Sequence, residues 1–224
     1  MSVNPYISES SLVCTPACGH EHLQSLAPLF DLNRQTIALL VATATTPFSD
    51  RIWSGWRAIG EELTSLDATQ REDLARCPFA LIDAGLCDIP RWSHADQVSE
   101  KSAQAELLFS PVLLQTRLDH LAHAAWLFAW HLVRSDALAA RLVLAVNSAS
   151  TSFMAQVTLT DVRQIAQELV RDGRVRPRWH SRPDIWFHLI HNARSSHRDD
   201  FANVTTRGLQ LFLQELLADD VHSK

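Results

Sequence analysis

Four side chains of the types that bind zinc lie close together near the N-terminus, in the stretch VCTPACGHEHL. They are Cys14, Cys18, His20 and His22. Two thiolates and two imidazoles are a set that zinc prefers, so these residues could hold a metal. All four fall within nine residues, however, whereas zinc fingers separate the two ligand pairs with folded structure. We therefore predict an N-terminal arm without a metal and keep the metal site as the alternative.

Two pairs of histidines, each three residues apart, could also do chemistry. They are His120 with His123 and His188 with His191. Residues at this spacing share one face of a helix, so each pair could bind a metal or exchange protons. Either use needs a third group and a cleft, which the sequence does not reveal. No Gly-x-Ser-x-Gly nucleophile motif is present either. We therefore predict interfacial or core histidines, no catalytic residue, no cofactor and no enzyme.

A basic and aromatic segment, residues 174–198, is the strongest candidate for a binding site. Its arginines are Arg174, Arg176, Arg178, Arg182, Arg194 and Arg198. Arginine contacts phosphate, as does the start of a helix, which we predict near Pro183. Arginine and tryptophan are also enriched where proteins bind one another. A protein partner is therefore the first prediction and DNA the second, while Trp179, Trp186 and Phe187 are predicted to anchor the core.

Composition limits the class of protein that positions these side chains. The 224 residues are 46% hydrophobic and 20% charged, as in ordinary globular proteins. A net charge of -5 argues against nucleic-acid binding by the whole surface, although residues 163–207 carry nine arginines against five acids. No apolar run reaches about 18 residues and the N-terminus resembles no signal peptide. We predict reduced cysteines, no membrane contact and a cytoplasmic location.

Helical periodicity and helix-capping residues predict an all-α fold around these groups. Scarce glycines exclude the nucleotide-binding loops of Rossmann and Walker type. Helix N-caps are predicted at Asp67, at Ser135 or Asp136, and at Thr160. A long helix is predicted to begin after Pro111, and another helix is predicted to stop at Gly173. Ser181 and Asp184 are predicted to form a capping box. A last amphipathic helix is predicted over residues 206–218.

The order of these features repeats along the chain. In each half a helix rich in Leu and Ala leads into small hydroxylated residues and a Phe, and a short capped helix then leads into Pro-Arg-Trp. This order predicts two similar halves from an internal duplication, packed as a pseudo-dimer. The predicted boundaries are an N-terminal arm over residues 1–25, a first helical half over 26–110 and a second over 111–224. The alternative is chance similarity within a chain rich in Leu, Ala and Arg.

The second half resembles FlhD, the helical subunit of the bacterial flagellar transcriptional activator. The resemblance covers residues 138–170 and rests on a Leu-Ala-x-Arg-Leu opening, on an Ala-Ser pair before Phe153, and on Thr158-Leu159 followed by Val162, Ile165 and Ala166. It implies an all-α interaction domain that dimerises and binds promoter DNA together with a second subunit. A cysteine of that family is replaced by Arg171, so its subunit-linking disulfide is not expected here.

These observations lead to one functional prediction with two alternatives. We predict a non-enzymatic regulatory module that binds a protein partner as part of a transcription-regulating complex. The chain is about twice the family's length, so it could be a monomer whose halves form a pseudo-dimer, or a homodimer. The first alternative is a DNA-contacting regulator that uses residues 174–198. The second is a metal-dependent enzyme.

Overall fold

A computed structural model describes residues 26–45, 56–87 and 112–195, and the structural statements below concern these ranges. They contain eight α-helices and one two-stranded antiparallel sheet. In chain order the elements are α1 (Ala27–Thr45), α2 (Arg57–Thr64), α3 (Ala68–Ala75), β1 (Ile82–Asp83), α4 (Val112–Ser135), α5 (Ala137–Leu144), α6 (Ser148–Gln156), α7 (Leu159–Arg171), β2 (Arg176–Pro177) and α8 (Pro183–Arg194). The predicted helical class is thus confirmed.

Several predicted features lie outside the described ranges. They are the Cys14 to His22 cluster, the first Pro-Arg-Trp at 90–92, Arg198 and the predicted helix over 206–218. Within the ranges, no helix is both long and apolar enough to cross a membrane.

The long helix α4 organises the packing. It contacts α1, α5, α6 and α7, and its inward face carries Leu121, Ala125 and Ala129. Trp126 is buried on the same face, and its indole Nε1 donates a 2.9 Å hydrogen bond to the carbonyl of Ala84. Burying a side chain of this size stabilises the fold, and the partner for its N–H avoids the cost of an unpaired buried donor. Residues just after β1 are therefore fixed against the centre of α4.

Two predicted helix starts are confirmed in detail. Asp67 caps α3 by accepting a 2.8 Å hydrogen bond from the backbone N–H of Gln70, whose side chain accepts one in return from the N–H of Asp67. Asp136 caps α5 and accepts from the N–H groups of Leu138 and Ala139. Each cap satisfies backbone donors that a first helical turn leaves unpaired.

Other predicted boundaries are wrong, and each has a local reason. The N-cap of α7 is Thr158 rather than Thr160, because Thr158 is still extended and exchanges hydrogen bonds with Asp161. The predicted box of Ser181 with Asp184 does not form; Arg182 is the N-cap of α8 without a side-chain cap bond, and Pro183 takes the first helical position.

The apolar run ALAARLVLAV predicts a helix over residues 137–146, and α5 is two residues shorter. The described part of α2 begins at Arg57, with Trp56 as its N-cap residue. α5 ends at Leu144 because Ala145 adopts left-handed backbone angles with φ of 49°. Gly173, in contrast, has a φ of 63° just after α7 and confirms the predicted glycine stop.

A single buried asparagine on α1 fixes the segment between α3 and β1. The Asn33 side-chain Nδ2 lies 3.1 Å from the carbonyl oxygen of Ala75, 3.2 Å from that of Cys77 and 3.0 Å from that of Phe79. Its Oδ1 accepts a 2.8 Å hydrogen bond from the N–H of Leu81. Cys77, Phe79 and Leu81 of this segment are buried and lie outside the helices, so Asn33 supplies partners that their backbone groups would otherwise lack.

The sheet joins the two predicted halves of the chain. Ile82 pairs with Pro177 and Asp83 with Arg176, and Ala80 also donates a 2.9 Å hydrogen bond to the carbonyl of Val143 at the end of α5. The buried apolar residues of both halves form one hydrophobic core. The described residues do not show the internal duplication, which stays a prediction together with the domain boundaries.

Candidate protein-binding surface

Arg178 of the predicted basic segment makes hydrogen bonds to other parts of the fold. Its Nη1 donates a 3.0 Å hydrogen bond to the carbonyl of Leu144, and its backbone N–H donates to the carbonyl of Leu81. Its own carbonyl accepts a 2.7 Å hydrogen bond from the indole of Trp186. A cation near the last carbonyl of a helix is favourable, because that end of the helix carries partial negative charge.

Two further arginines of the segment make ion pairs at the surface. Arg182 lies 3.1 Å from the Asp184 carboxylate, and Arg194 of α8 lies 2.6 Å from that of Glu62 and also bonds to the Ser65 hydroxyl. Arg174 and Arg176 are half-buried beside the sheet. The structure therefore spreads these side chains over several environments. Binding of DNA or of a partner by this segment stays a prediction.

The aromatic residues of the same segment divide into two groups. Trp179 is buried with its ring edge-on to Phe79 at 5.5 Å, and Trp186 is buried and edge-on to Trp56 at 6.5 Å. Both confirm the predicted core anchors. The prediction for Phe187 is wrong: its side chain is 41% exposed, because it follows Trp186 on α8 and a helix turns about 100° per residue.

The histidine pairs lie at the surface of the described structure. His120 on α4 is exposed and His123 is half-buried, while His188 and His191 are exposed on α8. Within residues 26–45, 56–87 and 112–195, no three side chains of His, Cys, Asp or Glu come together in a way that could hold a metal ion.

Four leucines of α4, α5 and α7 are exposed to solvent. They are Leu127 of α4, Leu138 and Leu142 of α5, and Leu159 of α7, and we call them the leucine surface. Leu138 is 66% exposed and Leu159 is 54% exposed. Leu138 and Leu142 are four residues apart, so they project from the same side of α5. Ala140, Val143 and Leu144 are the buried residues of α5, so the exposed Leu138 and Leu142 lie on the opposite side of this helix.

Two hydrogen bonds bring the elements of the leucine surface to one end of the helix bundle. The Trp130 indole on α4 donates a 2.8 Å bond to the carbonyl of Val157, two residues before Leu159. One turn later, Arg134 Nη1 donates a 3.2 Å bond to the carbonyl of Ala155. Because α5 starts directly after α4, the first turns of α5 and α7 both lie near the end of α4.

Arginine and tryptophan stack beside these leucines. The guanidinium carbon of Arg134 lies 4.9 Å from the ring centroid of Trp130, a cation–π geometry. Tryptophan and arginine are enriched among the residues that dominate binding energy at protein interfaces, and Leu127 lies one turn before Trp130 on α4.

The exposed side of α7 continues the surface with positive charge. Arg163 and Arg171 are exposed and make no side-chain hydrogen bond or ion pair within the part of the chain that the structure describes. Asp161 on the same helix already has partners: hydrogen bonds from the hydroxyl and the backbone N–H of Thr158 lower the pKa of its carboxyl group. Sequence patterns did not single out these arginines, since amphipathic helices commonly carry exposed charges.

Comparison with known proteins adds no relative. The chain matches no protein-family model, no curated protein sequence and no solved structure. The resemblance of residues 138–170 to FlhD accordingly stays a prediction.

Proposed function

We propose that this protein is a non-enzymatic helical module that binds another protein through the leucine surface. The observation that carries the proposal is the exposure of Leu138 and Leu159 at the same end of the bundle. Removing apolar area from water is favourable, so covering these side chains favours association. The stacked Trp130 and Arg134 are of the residue types that dominate binding energy at protein interfaces.

The proposed role is regulatory, within a complex that controls transcription. The FlhD resemblance supports this part of the proposal, since α5, α6 and most of α7 lie inside residues 138–170. Direct contact with DNA through residues 174–198 has less support, because Arg178, Arg182 and Arg194 already bond to other parts of the fold.

Site-specific photo-crosslinking tests the proposal. The photoreactive residue p-benzoylphenylalanine would replace Leu138 or Leu159 in the full chain, expressed in its native host. As the matched control, it would replace Phe187, which is exposed on a different helix. We expect the same protein adduct from both leucine positions and none from Phe187. Adducts of equal yield from all three positions, or none from the leucines, would contradict the proposal.

Affinity measurements with the purified partner complete the test. Leu138→Ser and Leu159→Ser remove exposed apolar groups and should leave the fold intact, which circular dichroism can check. Each variant is expected to weaken binding at least about tenfold, whereas Phe187→Ser should not. Unchanged affinity in both leucine variants would show that the partner binds elsewhere.

A further inference from the structure

We propose that the leucine surface and two exposed arginines of α7, Arg163 one turn after Leu159 and Arg171 at the far end of the helix, bind an acidic amphipathic helix of a partner protein. The inference rests on the proposed function and specifies the chemistry of the partner. Such a helix carries apolar residues at spacings of three and four and acidic residues along the edge of that apolar stripe.

The arrangement of α7 supplies the first argument. Leu159 and Arg163 are four residues apart and share one face of α7, whereas Arg171 is the last residue of the helix and lies about 80° around its axis from Arg163. A helix that covers Leu159 and runs along α7 therefore passes Arg163, and it reaches Arg171 if it extends about 18 Å beyond Leu159.

The second argument concerns which charged side chains near the leucine surface already have hydrogen-bond partners. Asp136 and Asp161 both accept hydrogen bonds from helix-start N–H groups or from the capping threonine, and Glu168 accepts a 3.0 Å bond from Gln164. These three acids have local partners, whereas Arg163 and Arg171, like the exposed Asp172 at the C-cap of α7, have none among the described residues. An incoming carboxylate would give each arginine a charge-assisted hydrogen bond.

The third argument concerns the backbone conformation of a segment that binds to the leucine surface. The sides of α4, α5 and α7 present side chains and no open strand edge at this place. A segment bound here has to satisfy its own backbone hydrogen bonds as it leaves water, and a helix does so internally.

Nucleic acid fits the same surface less well than an acidic protein. A duplex would place phosphates against Leu138 and Leu159, and apolar groups gain little from such contact. An acidic amphipathic helix matches both the leucines and the arginines.

Binding of designed peptides to the full-length protein tests the inference. The probe is a fluorescent helical peptide with a leucine stripe flanked by glutamates. Two controls keep the same length: one has lysine in place of each glutamate, and one has the same composition with the leucine stripe disrupted. We expect the glutamate peptide to bind at least about ten times more tightly than either control, and less tightly at about 300 than at about 50 mM NaCl.

Variants that lack the two arginines of α7 test where the glutamate peptide binds. Arg163→Gln with Arg171→Gln should weaken the glutamate peptide at least about tenfold. Arg57→Gln, which removes an exposed arginine of α2, is the matched control and should leave its affinity unchanged. Equal binding of the lysine peptide, no effect of the double substitution, or tighter binding of a DNA duplex would overturn the inference.

The two proposals can fail separately. A crosslinked partner that contacts Leu138 and Leu159 but is insensitive to Arg163→Gln with Arg171→Gln would leave the protein-binding function standing and remove the acidic helix. Loss of specific crosslinks from both leucines would remove the function as well.

Discussion

The side-chain oxygen of Asn33 accepts a 2.8 Å hydrogen bond from the backbone N–H of Leu81, a residue 48 positions later in the chain. Asn33→Leu would leave this N–H and three carbonyl groups without their partner. Because an unpaired buried polar group costs about 1–3 kcal/mol and neighbouring costs are not additive, we expect a loss of about 3 kcal/mol in the free energy of unfolding. Urea denaturation measures it.

The control for this substitution lies on the same helix. Gln35 is exposed and bonds to Asp31, so Gln35→Leu should change the free energy of unfolding by less than about 0.5 kcal/mol. Similar losses in the two variants would mean that the Asn33 hydrogen bonds do not determine the stability of the segment between α3 and β1.

Two threonines, Thr158 and Thr160, lie at the start of α7, and the sequence alone predicts the wrong one as the N-cap. Thr158→Ala removes the capping hydroxyl and is expected to destabilise the protein by about 1 kcal/mol, whereas Thr160→Ala should have little effect. In the Thr158→Ala variant the pKa of Asp161 should rise towards its ordinary value, because the first cause of its lowering is gone.

NMR titration of Asp161 provides the pH readout. A carboxyl whose pKa is lowered by folding stabilises the folded state above its ordinary pKa of 3.8, and this contribution is lost as pH falls through the lowered value. Wild type should therefore lose more stability in acid than Thr158→Ala does. A pKa for Asp161 that is the same in both proteins would contradict the observed cap.

Gly60 permits the close crossing of α1 and α2. A Cβ atom at this position would collide with the carbonyl oxygen of Leu40 and lie 2.8 Å from the Cβ of Ala44. Replacing glycine with alanine inside a helix normally stabilises a protein by up to about 1 kcal/mol. A decrease in the free energy of unfolding at this position would therefore indicate a steric clash. We expect Gly60→Ala to lower the free energy of unfolding by about 1–3 kcal/mol through overpacking.

A matched position serves as the control for Gly60. Ala58→Gly, on the exposed side of α2, should cost about 1 kcal/mol from helix propensity alone. Thermal denaturation of both variants makes the comparison, and a Gly60→Ala protein more stable than wild type would show that α1 and α2 do not touch at this residue.

Burial of Cys77 should make stability depend on pH in alkali. Burial raises the pKa of its thiol from 9.0 to about 12. Between these values the unfolded chain releases the proton and the folded protein keeps it, so stability falls as pH rises, by at most about 1.4 kcal/mol per pH unit. Cys77→Ala should lose this part of the slope, and Cys87→Ala, at an exposed cysteine, should retain it.

Local signals in the sequence predict the helices well. Asp67, Asp136 and Gly173 act through neighbours within three or four residues, and the structure confirms each of them. The burial of Trp179 and Trp186 also follows from their apolar size. The wrong prediction of Thr160 as the N-cap of α7 has the same origin, because Thr158 and Thr160 offer the same local signal two residues apart.

Long-range contacts account for what the sequence could not predict. Asn33 resembles an ordinary polar residue of an amphipathic helix until β1 and its preceding segment pack against it. The leucine surface was missed for the opposite reason: Leu138 and Leu159 fit a pattern of buried residues, and only the packing of α4 with α5 and α7 leaves them outside.

The pairing of Ile82 and Asp83 with Pro177 and Arg176 has a consequence for synthesis on the ribosome. The partners are separated by more than 90 residues of sequence, and a ribosome adds about 5–20 residues per second. The first half of the chain therefore emerges about 5–20 s before the strand that completes it. During that interval its strand edge and core side chains lack their final contacts, and chaperones protect transiently exposed surface of this kind.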